Sequence, residues 1–312
     1  MSRKRKSKKN RLSTVVVAAV CLFCLVIELG QYIPSIGIPD WDELFTLAGI
    51  SDTKTAPEGE LQVSFIDVGN ADSILIQQGE ACALIDAGER GDGDDVLDYL
   101  REQGVTKLDL VIATHPHADH IGGMTQIINA LPVYKFVMSF MPEDKTPTVA
   151  TYLNMLTALD ERNVLLEEAK PGKVYSLGTA QLTVLAPLVE SKEENNISVV
   201  TRLTFGNRSF LFMADAETEV EDQLLYGAGP LTADVLKVGH HGSDTSSSVR
   251  FLRRVSPTYA IIPCGVGNSY GHPSEEVLLR LDELKAKIYR SDIHGHITVK
   301  TDGKTLDITT QK

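Results

Sequence analysis

Two β-sheets packed face to face, with helices on their outer faces, form the α/β fold this sequence predicts. Three observations predict it. Short runs rich in β-branched and aromatic residues recur from Leu61 onward, turn residues separate them, and helical patterns punctuate two halves of similar length. The strand-like runs are LQVSFI (61–66), SILIQ (73–77), CALID (82–86), LDLVIAT (108–114), KFVMSF (135–140), AQLTVLA (180–186), SVVTRLTF (198–205), RSFLFMA (208–214), DVLKVG (234–239), YAIIP (259–263) and HITVK (296–300). Between them, Asp94 is placed to cap a helix whose Val96, Leu97 and Leu100 share a face and which Gly104 ends. Ser274 caps another that carries Val277, Leu278, Leu281 and Leu284.

With 43% hydrophobic and 23% charged residues the chain has the content of a globular protein rather than a disordered or fibrous one. The net charge of −12 understates how acidic most of it is. Seven of the 30 basic residues lie between Arg3 and Arg11, and none of the 42 acidic ones precedes Glu28. A body this acidic is a poor general binder of nucleic acid.

The basic cluster is followed by an apolar run from Val15 to Ile27, sixteen residues if counted from Leu12. At about 1.5 Å per residue it reaches roughly 24 Å, against a hydrocarbon core of about 30 Å. Residues 1–28 therefore read as an uncleaved signal-anchor, with a cleaved signal peptide and a buried core helix as the alternatives. Either leading reading places the remainder outside the cytoplasm, membrane-held in the first case and secreted in the second. Residues 29–60 hold Pro34, Pro39 and Pro57 without sustained periodicity and read as a linker, with one short helix around Trp41–Leu47. The folded domain is expected at 61–312. Its two cysteines, Cys82 and Cys264, do not make a disulfide scaffold.

The segment that carries chemistry is Thr114-His-Pro-His-Ala-Asp-His-Ile-Gly-Gly123, directly after the run LDLVIA. A turn leaving a strand aims His115 and His117 to one side, while Asp119 and His120 approach a second point from the start of a helix. Neutral imidazoles with a carboxylate suit zinc, manganese or iron, and two ions fit these four ligands better than one. Three of the chain's eight histidines within six residues is not the distribution of surface histidines. Gly122-Gly123 serves as a turn or lets the helix start close against the site. No GxSxG, Walker loop or dinucleotide fingerprint occurs, which disfavours serine hydrolases, P-loop enzymes and any nucleotide cofactor.

His115 to His120 match the HxHxDH motif of the metallo-β-lactamase superfamily, which the sequence resembles from about 61 to 312. More narrowly, FIDVGNADSILI, LIDAG, THPHADHIGG, NNISVVTRL, FLFMADAETEVEDQLL, LKVGHHGS, NSYGHPS and YRSDIHGHI look like the corresponding domain of ComEC-like DNA-uptake proteins and their free-standing relatives. The resemblance implies an αββα four-layer sandwich with two divalent ions, zinc or manganese, at one edge. It implies His115, His117, Asp119, His120, Asp215 and His240 as ligands, with Asp215 bridging and His241 close behind His240 as a second candidate. Asp119 and His241 take catalytic roles in this reading. The superfamily's usual further histidine before the bridging aspartate is missing, since none lies between Ile121 and Gly239. The Asn-rich block with Asn195, Asn196 and Ser198 stands there instead, leaving one ion with fewer protein ligands or with an amide oxygen.

Asp67, Asp72 and Asp86 are expected to orient ligand histidines, or to serve turns. Ser243 and His272 are expected near the mouth, where relatives contact the anionic part of a substrate, while His294 and His296 read as surface residues. The chemistry implied is attack by a metal-activated hydroxide on a phosphorus or carbonyl centre. The leading expectation is thus a metal-dependent phosphodiesterase or nuclease with a phosphodiester substrate such as DNA. Lys237, Arg250, Arg253 and Arg254 are the only bases near the HHGS motif able to offset the acidic body. A β-lactamase or lactonase, and a non-catalytic membrane-tethered accessory module of DNA uptake, are the alternatives.

Overall fold

The computed structural model describes residues 59–139, 146–188, 191, 193–227 and 229–312. The expected signal-anchor, linker and Trp41–Leu47 helix lie outside these residues. Among the described residues no helix is long and apolar enough to cross a membrane.

The first half of the described chain builds β1 (Leu61–Phe65), β2 (Ile74–Gln78), β3 (Ala81–Ile85), β4 (Leu110–Ala113), β5 (Lys135–Met138) and β6 (Leu165–Glu168). The second builds β7 (Val174–Leu177), β8 (Ala180–Val184), β9 (Thr201–Phe205), β10 (Arg208–Phe212), β11 (Val235–Lys237), β12 (Tyr259–Ile262) and β13 (Lys287–Arg290). The closing hairpin, β14 (Ile297–Thr301) and β15 (Leu306–Thr310), returns to the first sheet and pairs with β1. The sheets run β15-β14-β1-β2-β3-β4-β5-β6 and β13-β12-β11-β10-β9-β8-β7. Each is antiparallel in one part and parallel in the other, β3 to β6 and β10 to β13 being parallel.

Parallel strands need crossovers, and helices supply them. α1 (Gly93–Glu102) joins β3 to β4. α2 (Ala118–Ile121) and α3 (Met124–Ala130) lead to β5, and α4 (Ala150–Glu161) to β6. In the second sheet α5 (Thr218–Gly227), α6 (Val249–Val255) and α7 (Glu275–Glu283) play the same part, and the short α8 (Ser291–His294) follows β13. Three apolar layers result. Val63, Phe65, Ile76, Phe210 and Phe212 fill the space between the sheets. Val96, Leu100, Met124 and Met155 pack helices on the first sheet, and Val220, Phe251, Leu252 and Leu281 on the second. This is the αββα sandwich. Phe65 and Phe212 meet across the sheets with ring centroids 6.2 Å apart, a pairing worth about 0.5–1.5 kcal/mol beyond its area.

Ser274 caps α7, its hydroxyl accepting from the Val277 amide. The expected cap at Asp94 is displaced: Asp94 lies in the first turn of α1 and Asp92 holds the cap position. The carboxylate of Asp92 accepts instead from the Glu89 amide (2.7 Å), inside the loop that borders the site. Cys82 and Cys264 are buried free thiols.

Candidate metal centre

Loops leaving the C-terminal ends of β3, β4, β10 and β11 converge at one rim of the sandwich, the usual place for a site in an open parallel sheet. Four residues on these loops hold left-handed backbone that side chains rarely adopt: Asp86 (φ 58), Ala214 (φ 49), His240 (φ 48) and His241 (φ 51). Such strain persists where surrounding structure over-determines it. Gly122 and Gly123 allow close approach as well, because a Cβ at Gly122 would meet the backbone of Glu89 and Arg90, and one at Gly123 that of Ala87 and Gly93. Backbone bonds then lock this helix start to the site loops, Asp72 N–H donating to Asp119 O (3.1 Å) and Ala87 N–H to His120 O (2.8 Å).

At the inner end, Asp119, His120, Asp215 and His241 offer one ligand atom each within 4.8 Å of one another. His120 Nε2 is 3.3 Å from Asp215 Oδ2 and 3.9 Å from Asp119 Oδ2, and His241 Nε2 is 3.6 Å from both Asp119 Oδ2 and Asp215 Oδ1. Four tetrahedral donors at about 2.0–2.2 Å from an ion lie about 3.3–3.6 Å apart. Among the described residues His120 Nε2, His241 Nε2 and Asp215 Oδ1 are buried without a hydrogen-bond partner, a costly state unless something else binds them. The donors fit a divalent transition metal.

The far nitrogens set the tautomers. His241 Nδ1 faces the Pro263 carbonyl at 2.9 Å, which only accepts, and His120 Nδ1 faces Asp86 Oδ2 at 2.7 Å. Both rings keep a proton there, which leaves Nε2 as the nitrogen that faces inward and would give up its own proton to bind a metal. Asp86, fully buried, also accepts from the Thr114 amide (2.9 Å) and hydroxyl (2.7 Å). Burial opposes charge on His120 and Asp215, yet the carboxylates of Asp215 and Asp86 hold His120 well above its ordinary value. His120 and His241 in turn hold Asp215 well below the carboxylate range.

At the outer end His115 Nε2 lies 3.1 Å from His117 Nδ1 and 4.0 Å from Asp215 Oδ2. Burial pushes His115 far below the usual imidazole value, so it is neutral. His117 is half-buried, and its Nε2–H donates to Glu194 Oε2 at 2.8 Å.

Several expectations change. His241, with a side chain 2% exposed, joins the inner cluster, whereas the favoured His240 is 22% exposed and stands beside it. Its Nε2 is 3.7 Å from Asp215 Oδ2 and its Nδ1 lies 3.3 Å from Glu217 Oε1 and 3.3 Å from Thr245 Oγ1. Asp72 lies behind the imidazoles, 3.7 Å from His241 Nδ1. Asp67 does not: it points to a separate depression, its amide donating to His296 Nδ1 (2.8 Å) and its carboxylate 3.6 Å from Lys312. Ser198 sits against the site, 3.5 Å from His115 Nδ1 and accepting from the Asp215 amide at 3.3 Å. Asn196 is no ligand, for its Oδ1 accepts from the Glu217 amide (3.1 Å) and its Nδ2 donates to Glu219 (3.2 Å). Ser243 is buried in a turn with Thr245 (3.0 Å). His272 does line the mouth, its ring 5.4 Å from that of His240. His294 and His296 are half-buried rather than surface-exposed.

Lys237 overturns a further expectation. It is wholly buried, and its ammonium is bound to Asp72 and donates to Ala214 O (2.7 Å), with Asp215 Oδ1 3.7 Å away. It is a counter-charge beneath the site and is not available to a polyanion. Asp72, Asp86 and His120 also bring ligand atoms together, but Lys237 and the His120–Asp86 bond already fill that space. A signal for this lay in the sequence, since Lys237 closes the buried run Val235–Lys237 on a central strand.

Residues 66–149 match the family model of the metallo-beta-lactamase superfamily. The chain is 31% identical to ComE operon protein 3 of Bacillus subtilis, over 90% of this chain and 39% of that protein. It is 29% identical to Competence protein ComA of Neisseria gonorrhoeae, over 91% and 38%. The chain thus carries a metallo-beta-lactamase domain in residues 66–149 and is homologous over most of its length to these two proteins. It spans about two fifths of the length of these two curated relatives. The solved metallo-beta-lactamase fold protein YhfI of Bacillus subtilis superposes with a TM-score of 0.52 at 14% identity, over 78% of this chain and all of that one, and shows the shared fold.

Proposed function

We propose that this chain is a metal-dependent phosphodiesterase, with nuclease activity as its leading form. The observation that carries the reading is the inner cluster, whose unpartnered imidazole nitrogens open beside a cleft of about 630 Å3 lined by His117, Asp119, Asn195, Asp215, His240 and His272. Two divalent ions bound there, zinc or manganese, would supply a neutral-pH source of activated water and a counter-charge for a phosphoryl group.

The chain's own residues do the rest. Asp119 reaches both the cluster and the cleft, and although burial opposes its charge, the neighbouring imidazoles of His241 and His120 hold its carboxyl well below the usual range. It is placed to accept the proton of an attacking water. Asp86 and Pro263 hold the imidazoles still behind it, so little reorganisation is needed. Among the described residues the cleft lining contains Glu89 and Asp92 but neither lysine nor arginine, so an anionic substrate would lean on the ions for entry as well as for reaction.

The name of one relative, Competence protein ComA, speaks of competence, which agrees with a substrate such as DNA. We further propose that residues 1–28 anchor the chain with its hydrolase domain, residues 61–312, outside the cytoplasm. Purified chain with Mn or Zn should hydrolyse bis(p-nitrophenyl) phosphate, and the double change Asp119→Ala, His120→Ala should lower turnover by at least about a thousandfold. An equally active variant rejects the site. Single-stranded DNA, duplex DNA and a β-lactam assayed in parallel separate nuclease from lactamase. A metal-loaded chain inactive on all four is the result expected of an accessory module.

A further inference from the structure

The outer end of the site lacks an obvious third donor, because no histidine lies between Ile121 and Gly239. We infer that the side-chain oxygen of Asn195 supplies it, beside His115 Nε2 and His117 Nδ1, making the outer position richer in oxygen than the inner one. The inference rests on the two-ion reading above.

The placement comes from the short 3-10 turn Glu194–Ile197. Glu194 accepts from His117 Nε2–H at 2.8 Å, and Ser198, just past the turn, touches His115 and the Asp215 amide. Glu194 just before Asn195 and Ser198 three positions after it thus contact the two outer imidazoles and the backbone amide of Asp215. Asn195 itself lines the cleft with His117 and Asp215. Its Nδ2 faces Glu217 Oε1 at 3.5 Å. A carboxylate oxygen only accepts, so this contact fixes which end of the amide is nitrogen. The opposite atom, Oδ1, is buried and has no hydrogen-bond partner among the described residues. Its neighbour Asn196 spends both ends of its amide on Glu217 and Glu219. One amide of the pair braces the turn, and the other keeps a free lone pair at the site.

An amide oxygen is a harder donor than an imidazole and suits manganese or magnesium better than zinc. The outer ion should therefore be the weaker and more exchangeable one, and should favour manganese. The rival donor is His240, whose Nε2 is 3.7 Å from Asp215 Oδ2.

The test is titration of metal-free full chain with MnCl2 and with ZnCl2, read by equilibrium dialysis and elemental analysis, with circular dichroism as the check on folding. The parent should take up two ions. Asn195→Ala should keep one and bind the second at least about tenfold more weakly. Asn195→Asp, which preserves the shape and an oxygen, should hold the second at least as tightly as the parent, and carries the test if the alanine variant does not fold. Asn195→His should raise zinc over manganese for the second ion by about tenfold or more. Two ions bound within twofold of the parent by Asn195→Ala would overturn the inference, as would weaker binding by Asn195→Asp. Loss of the second ion in His240→Ala but not in Asn195→Ala overturns it in favour of His240. A parent that binds no metal instead defeats the two-ion reading beneath it.

Discussion

The inner and outer ends of this candidate centre are held by different parts of the molecule. His120 and His241 are anchored from behind by Asp86 and the Pro263 carbonyl, which follow core strands of opposite sheets. His117 is anchored by Glu194, a half-exposed residue on a short surface turn. The same ligand chemistry therefore rests on the core at one end and on a loop at the other. Retention of an ion should follow the support, since partners behind a ligand set its orientation and basicity.

Removing an inner imidazole is the severest way to test this. His241→Ala should weaken the inner ion by more than about a hundredfold, beyond the cost of losing a supporting partner, whereas His240→Ala should leave it within about tenfold. Calorimetric titration with zinc reads both, and equal losses would erase the distinction between the two neighbours.

Next comes the support itself. Asp86→Ala strips partners from the Thr114 amide and from His120 Nδ1, so it should cost about 3–5 kcal/mol of stability in urea unfolding and about 10- to 100-fold in inner-ion affinity. A variant as stable as the parent would mean that the inner end does not lean on the core. The smallest effect belongs to the outer support. Glu194→Ala should reduce outer-ion affinity by about tenfold while changing stability by less than about 1 kcal/mol, because the pair is exposed. Inner-ion loss in that variant would show the two ends to be one unit.

Most of the fold was readable in the sequence, and the misses share a cause. All eleven expected runs form strands, with ends displaced by a few residues. The four strands not foreseen, β6, β7, β13 and β15, are the edges of the two sheets. An edge strand is partly wet, so its apolar pattern is diluted, as the half-exposed Leu165–Glu168 and Lys287–Arg290 show. At the site, the motif from His115 to His120 was legible because its ligands are close in sequence. The order of His240 and His241 was not, since two successive left-handed residues break the periodicity by which side chains are assigned to faces. Asp67 and Asp72 share a loop whose path alone decides which faces the histidines. Asn195 and Asn196 differ only in where a short turn aims them.

Lys237 carries a last consequence. Its ammonium is bonded into the chain among Asp72, Asp215 and the loops above them, so part of the repulsion among these acids is relieved before any cation arrives. Small zinc domains collapse when a chelator removes their metal, because coordination is their folding energy. Here biosynthesis can run in the opposite order, with the polypeptide reaching its native shape first and loading afterwards, from whichever compartment's metal supply it meets.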